Sequence, residues 1–425
     1  MQNRVLLVFI AIIASQAAFA QNGSPYTRYG LGSLTSSYFG PARAMGGISF
    51  ASSSGRHLNI SNPAGLATID SLSFIFEFGM ESGLRQLATT NPDLSALNND
   101  TRMSYLSFGF PITRWWASSI GIMPFSTMGY NIRSVDSLYN VSKYYFYEGS
   151  GGVNQVFWSH GFAPFKNFRI GLNMKYLFGM QNRTNSVEFE DESGAYVNIL
   201  EENMVFINDF CFSGGLQYDL RLGEKNSLTL GAVFTYPTRL NSRRDALVTN
   251  SLSVGSSAAV DTIYYTEDER GEVSLPMSIG GGLVYNFDDK LKLGVDYTMQ
   301  DWSDAVFFNQ SDSLGNSNCF RFGLEYTPAG LNRATNNYGS KVSYRLGFYY
   351  DNTYLNFASS GEQIDDFGIS FGFGLPLNRS KTSFNISIEL GQRGTTRNNL
   401  VRERYANIGL NLTLSDVWFV KRKFD

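Results

Sequence analysis

The sequence predicts an all-β fold: a transmembrane antiparallel β-barrel of about fourteen strands closed around an N-terminal hatch, or plug. Three observations predict it. Apolar and polar residues alternate with period two in segment after segment. The connections between these segments alternate between short and long. The chain is poor in charge, yet past its first residues no apolar run approaches the ~20 residues that a helix needs to cross a bilayer.

The alternation is clearest at 168–180, FRIGLNMKYLFGM. Phe168, Ile170, Leu172, Met174, Tyr176, Phe178 and Met180 share one face, and Arg169, Gly171, Asn173, Lys175 and Gly179 lie mostly on the other. Alternate side chains of a strand point to opposite faces, so this is a strand with one greasy and one polar side. Residues 290–300, 341–350 and 382–391 repeat the pattern. Such segments start near Leu72, Met103, Trp115, Val153, Phe168, Asn208, Ser227, Met277, Lys290, Asn318, Lys341, Asp366, Thr382 and Arg404. Each is near the ~10 residues of a tilted spanning strand, and an even number suits a barrel with both termini on one side.

The connections 82–102, 125–152, 181–207 and 237–276 are long, whereas 111–114, 164–167, 221–226 and 288–289 are short. Short periplasmic turns alternating with long extracellular loops is the habit of outer-membrane barrels. The connection 327–340 breaks the rule, because it should be short and is not. The apolar face then meets lipid. Arg169, Lys175, Lys292, Asp296, Arg321, Glu325, Arg345 and Glu389 fall in the luminal phase, where charge is hydrated or paired. Trp115, Trp116, Trp302 and Trp418 lie near strand ends and read as an interfacial aromatic girdle.

Composition agrees. Charged residues are 17% of the chain and aromatics 15%, against about 25% charged in soluble domains. Mean hydropathy is only -0.16, so a membrane chain of this kind has the closed barrel as its usual solution. The formal net charge is -3, and no basic stripe offers a surface to nucleic acid. Arg4, the apolar run Val5 to Ile13 and Ala18-Phe19-Ala20 form a secretory signal peptide cut after Ala20. The expected organisation is therefore a signal peptide (1–20), a hatch segment (21–70) and the barrel (71–425), with a short periplasmic C-terminal tail. Residues 21–70, rich in Gly, Ser and Ala, precede the first strand and are expected to fold into the lumen, where small residues permit close backbone packing.

Asn62-Pro63-Ala64 reads from residue chemistry alone as a turn start. It also resembles the NPA motif of the FadL-type family of outer-membrane transporters, which carry long-chain fatty acids and other hydrophobic molecules. Ala42-Arg43-Ala44-Met45-Gly46-Gly47 resembles the small-residue run before that motif. Leu275-Pro276, the Gly-rich strand to Tyr285, Asp289-Lys290-Leu291, Leu293-Gly294, Asp296-Tyr297 and Asp301-Trp302-Ser303 are similar in order and spacing to the family's late strands. The opening Tyr26-Thr27-Arg28-Tyr29-Gly30 and the ending from Trp418 to Asp425 look like a Bacteroidetes branch. The resemblance implies fourteen strands, an N-terminal hatch and a ligand that binds inside and leaves sideways into the outer leaflet. Pro124 and Pro164 are candidates for opening the wall, although turn formation is the favoured role of both. Ser52-Ser53-Ser54-Gly55 stands where the family often has an acidic position, a departure that bears on fatty acid as the ligand.

Catalytic chemistry has little to work with. His57 and His160 are the two histidines, and adjacent strand residues Ser159 and His160 face opposite ways. Neither histidines nor cysteines have metal-site spacing, so no cofactor, metal or enzyme activity is expected. Cys211 and Cys319 fall on strands that are not neighbours, and no disulfide is expected. Two functions follow. In the first, the barrel takes up a hydrophobic small molecule, and a luminal cation among Arg169, Lys175, Lys292, Arg321 and Arg345 holds its carboxylate. In the second, it is an interaction barrel, since FadL-like proteins also act as partners in type IX protein secretion. Its long loops 181–207 and 237–276 would then be docking surfaces. The outer-membrane lipid is a partner in both.

Overall fold

The computed structural model describes residues 23–417, apart from 139–140, 191–195, 252–260, 309–313, 331–334, 336, 358–361 and 378–380. The expected signal peptide (1–20), the tail and Trp418 lie outside the described residues. A two-residue strand, β1 (Ser33–Leu34), precedes the wall. The wall runs through β2 (Ser73–Thr90), β3 (Asp93–Pro111), β4 (Trp116–Leu138), β5 (Val141–Phe165), β6 (Phe168–Glu190), β7 (Asn198–Arg221), β8 (Asn226–Thr235) and β9 (Thr238–Ser251). It continues through β10 (Asp261–Leu275), β11 (Ser278–Phe287), β12 (Leu291–Gln300), β13 (Ser317–Tyr326), β14 (Ser343–Phe357), β15 (Glu362–Pro376), β16 (Ser383–Arg393) and β17 (Arg402–Val417). All wall pairings are antiparallel, and β17 closes on β2 from Arg402↔Ala88 to Val417↔Ser73.

β8 and β9 both lie against β7 and form one stave broken before Thr238. β10 and β11 form the next, broken at Pro276-Met277. The wall is therefore a closed barrel of 14 staves. The two breaks face each other, because Leu275 pairs with Thr238 and Ser278 with Thr235. Pro237 and Pro276 cannot donate to the ladder, which is why it lapses there.

The inferred phase holds. Ile170, Leu172, Met174 and Tyr176 point out to lipid, as do Leu346, Phe348 and Tyr350. Arg169, Asn173, Asp296, Glu325, Arg345 and Glu389 are buried in the lumen. Two expectations change. The long connections are largely not loops: β4 to β7 are 23 to 25 residues each, and β2 turns into β3 after Thr90 with two intervening residues. The staves continue beyond the ~10 residues of the bilayer as projecting hairpins. No lipid face exists there to impose an alternating pattern, while backbone hydrogen bonding carries on regardless. Trp302 is not part of a girdle. It is buried and stacks on Tyr354 at 4.6 Å inside the barrel, whereas Trp115 is exposed at the β3–β4 turn. The β13–β14 connection, from Tyr326 to Ser343, is long, as the sequence predicts.

Candidate functional site

Residues 23–70 lie against the luminal face of the wall. Leu31, Ile48, Ile60 and Leu66 are almost wholly buried, and short helical turns cover Pro25–Arg28, Gly40–Arg43 and Pro63–Thr68. The last turn begins at Asn62, whose side chain accepts the Ala64 N–H at 3.2 Å and so caps it. Asn62 Nδ2 also donates to the carbonyls of Phe50 (2.6 Å) and Leu216 (3.0 Å), tying the turn to β7. The turn reading and the structural tie are thus the same residue at work. It fits because the wall facing it is bare. A Cβ on Gly171 would sit 2.1 Å from the Ala64 nitrogen, and one on Gly215 2.0 Å from Asn62 Oδ1. At Gly171 the contact is with backbone and admits only glycine, and at Gly215 it is with the Asn62 side chain that makes the cap.

A second tie comes from β12. Asp296, fully buried, accepts the backbone N–H groups of Ser49 (2.7 Å) and Phe50 (3.0 Å) through Oδ2. Sequence phase placed Asp296 in the lumen but gave it no task, because its partners are some 250 residues away in the chain. Replacing Asp296 with Ala leaves two buried donors unpaired and is expected to weaken this docking by roughly 2–4 kcal/mol. Faster protease cutting around Ser49, with the barrel's folded gel mobility unchanged, is the check.

Two cavities flank the segment. The outer one, about 290 Å³, is lined by apolar side chains including Leu34, Phe125, Val233, Leu275, Trp302 and Tyr354, and by Lys175, Arg321, Asp351 and Arg393. The inner one, about 920 Å³, opens toward the short-turn end. Tyr38 and Ser49 belong to both linings. The guanidinium groups of Arg43 (5.8 Å) and Arg321 (5.7 Å) both lie over the Tyr38 ring, so a cation from the segment and one from the wall contact it. Sequence reading missed Tyr38; nothing local distinguishes it from the other tyrosines.

The five luminal cations separate into two groups. Arg169 pairs with Asp219 at 2.7 Å, Lys292 with Glu325 at 3.0 Å, and Arg345 with Glu325 at 2.6 Å. Among the described residues, Lys175 and Arg321 make no ion pair or side-chain hydrogen bond, and both line the outer cavity. Cys211 and Cys319 are free thiols lining the same cavity. Ser159 is buried inward, while His160 packs at a tilt against Trp158 and accepts from Trp116 Nε1 at 3.3 Å, so they form no catalytic pair.

The wall is incomplete beside the outer cavity. β3 and β4 pair only from Leu106↔Ile122 to Pro111↔Ala117, although both strands run on outward. Pro124 lies just beyond, where the register of β4 on β5 shifts. Contrary to expectation, Pro124 is therefore a wall interruption and not a turn residue; Pro164 does lie beside the β5–β6 turn. The N-terminal segment fills the gap from inside. Ser33 and Leu34 pair with Thr127 and Ser126 of β4, the Ser24 N–H donates to Gly129 O at 3.0 Å, and Asn98 of β3 donates to Gly23 O at 3.0 Å.

The model of the BamG family matches residues 1–425. The chain belongs to the BamG family. No curated protein matches it by sequence. Among solved structures, this BamG-family barrel is similar to the Pseudomonas putida toluene transporter TodX (TM-score 0.56, 13% identity, 92% of this chain and 100% of that one). It is also similar to the Ralstonia pickettii toluene transporter TbuX (TM-score 0.53, 15% identity, 89% and 98%). A Pseudomonas aeruginosa FadL homologue aligns with TM-score 0.54 and 14% identity over 92% and 99%. At these identities the likeness establishes a shared FadL-type fold.

Proposed function

We propose that this chain is an outer-membrane barrel for passive uptake of hydrophobic small molecules bearing an anionic group, with long-chain fatty acids as the expected class. The observation that carries the reading is the outer cavity, where an apolar lining, two cations without salt-bridge partners and a wall gap meet. The apolar body of the ligand lies against Leu34, Phe125 and Trp302, and Lys175 and Arg321 hold its carboxylate. It leaves between β3 and β4 into lipid, which keeps its apolar surface out of water. In this reading residues 21–70 are the plug, and the stretch around Ser33-Leu34 withdraws from β4 for exit. The solved neighbours that transport toluene support a hydrophobic cargo.

The test is native mass spectrometry of the barrel gently extracted from its own membrane, followed by fatty-acid binding to a Lys175→Gln/Arg321→Gln variant. Uptake predicts a retained hydrophobic molecule and a loss of affinity of about tenfold or more in the variant. It also predicts slower maleimide labelling of Cys211 and Cys319 when ligand is bound. Unchanged binding in the variant rejects the headgroup role.

One observation favours the second reading, a partner role in protein secretion. Leu94, Leu97, Val135, Ile263 and Tyr265, all on the projecting hairpins, are each more than half exposed, and a protein partner would cover apolar side chains of this kind. A stoichiometric protein partner with an empty lumen in the same experiment selects that reading.

A further inference from the structure

The inner cavity has no part in a sideways route from the outer one. Its lining carries Arg56, Lys292, Lys341, Arg345 and Lys381 against one carboxylate, Glu325. Glu325 is already shared by Lys292 and Arg345, so this trio keeps a positive charge. Lys341 has no side-chain partner among the described residues, and Lys381 pairs only with Asp70 at the rim, both partly exposed. The charges come from separate places: the N-terminal segment, β12, β14 and two inner-end connections. One of these is the β13–β14 connection, the exception to the short-turn rule. Its Gly330, Thr335 and Lys341 form part of the cavity wall, which gives its length a purpose.

We propose that the inner cavity is a second binding site, open to the periplasmic end, for a soluble small molecule bearing two or more phosphate or carboxylate groups. A cleft lined by one sign of charge concentrates counter-ions. Leaving Arg56 aside and counting Asp70 with Glu325, four cations face two carboxylates among the described residues, an excess that a single negative charge leaves unmatched. At about 920 Å³, the cavity is near the upper end for small-molecule pockets and too roomy for a lone phosphate. Its floor offers no slot for an acyl chain, because Phe39, Ile48 and Leu58 are themselves packed and buried. A soluble polyanion therefore fits better than a lipid headgroup.

The test is calorimetric titration of the detergent-purified full chain with tripolyphosphate at low salt. Saturable binding that weakens with added salt is expected. A Lys341→Gln/Lys381→Gln variant should bind about tenfold more weakly or worse. Both side chains sit at the exposed rim, so the variant should retain the folded mobility of the barrel. Lys175→Gln, which alters the other cavity, should bind tripolyphosphate as the unaltered chain does. That separates this site from the uptake reading. No saturable binding by the unaltered chain, or equal binding by the double variant, overturns the proposal.

Discussion

Tyr38→Ala is expected to raise the ion conductance of the barrel in planar bilayers well above that of the unaltered chain. The two cavities share Tyr38 in their linings, and the guanidinium groups of Arg43 and Arg321 lie over the ring at 5.8 and 5.7 Å. Each cation–π contact contributes roughly 0.5–2 kcal/mol depending on desolvation, enough together to keep the ring in place. Removing it joins the chambers through a space flanked by two guanidinium groups, so the current should favour anions. Tyr38→Phe keeps the ring and should conduct as the unaltered chain does. If Tyr38→Ala conducts no better than the unaltered chain, the partition is formed by the backbone around Ser49 and not by the ring.

The other large effect concerns the seat of the NPA turn. Gly171→Val places a Cβ within 2.1 Å of the Ala64 nitrogen and 2.3 Å of the Pro63 carbonyl carbon. Both contacts are with backbone, so the turn must leave. Asn62→Ala acts from the other side, removing a cap and the bonds to Phe50 and Leu216, at a cost of roughly 2–4 kcal/mol. In both variants trypsin should cut the N-terminal segment at Arg43 and Arg56, sites protected in the unaltered chain. The barrel itself should keep its heat-sensitive gel mobility, since Val suits a strand and Gly171 faces the lumen. A segment that stays uncut in both variants places its anchorage elsewhere, with Asp296 the first alternative.

These expectations draw on different depths of the sequence. The 168–180 segment was legible residue by residue, because lipid on one side and lumen on the other impose a period of two. Strand starts at the inner end, such as Phe168 and Ser227, lie within a residue or so of the observed ones. Of the starts at the outer end, Asn318 and Arg404 lie within two residues of the observed ones, but several fall short: the pattern begins at Met103 and Val153, whereas the strands begin at Asp93 and Val141. Those hairpins stand clear of the bilayer, where the period has no cause.

The sequence by itself thus determined the closed barrel, its inward-facing charges and the position of the NPA turn, all matters of local pattern and phase. Tertiary structure alone decided which cations are paired, that Pro124 ends a ladder, that Trp302 turns inward and that Tyr38 lines both cavities. Each of these depends on partners far away in the chain. Arg345 and Lys292 share Glu325, and the N–H groups of Ser49 and Phe50 meet Asp296, because closing the barrel brings staves and the N-terminal segment together. Period and composition carry no record of that register.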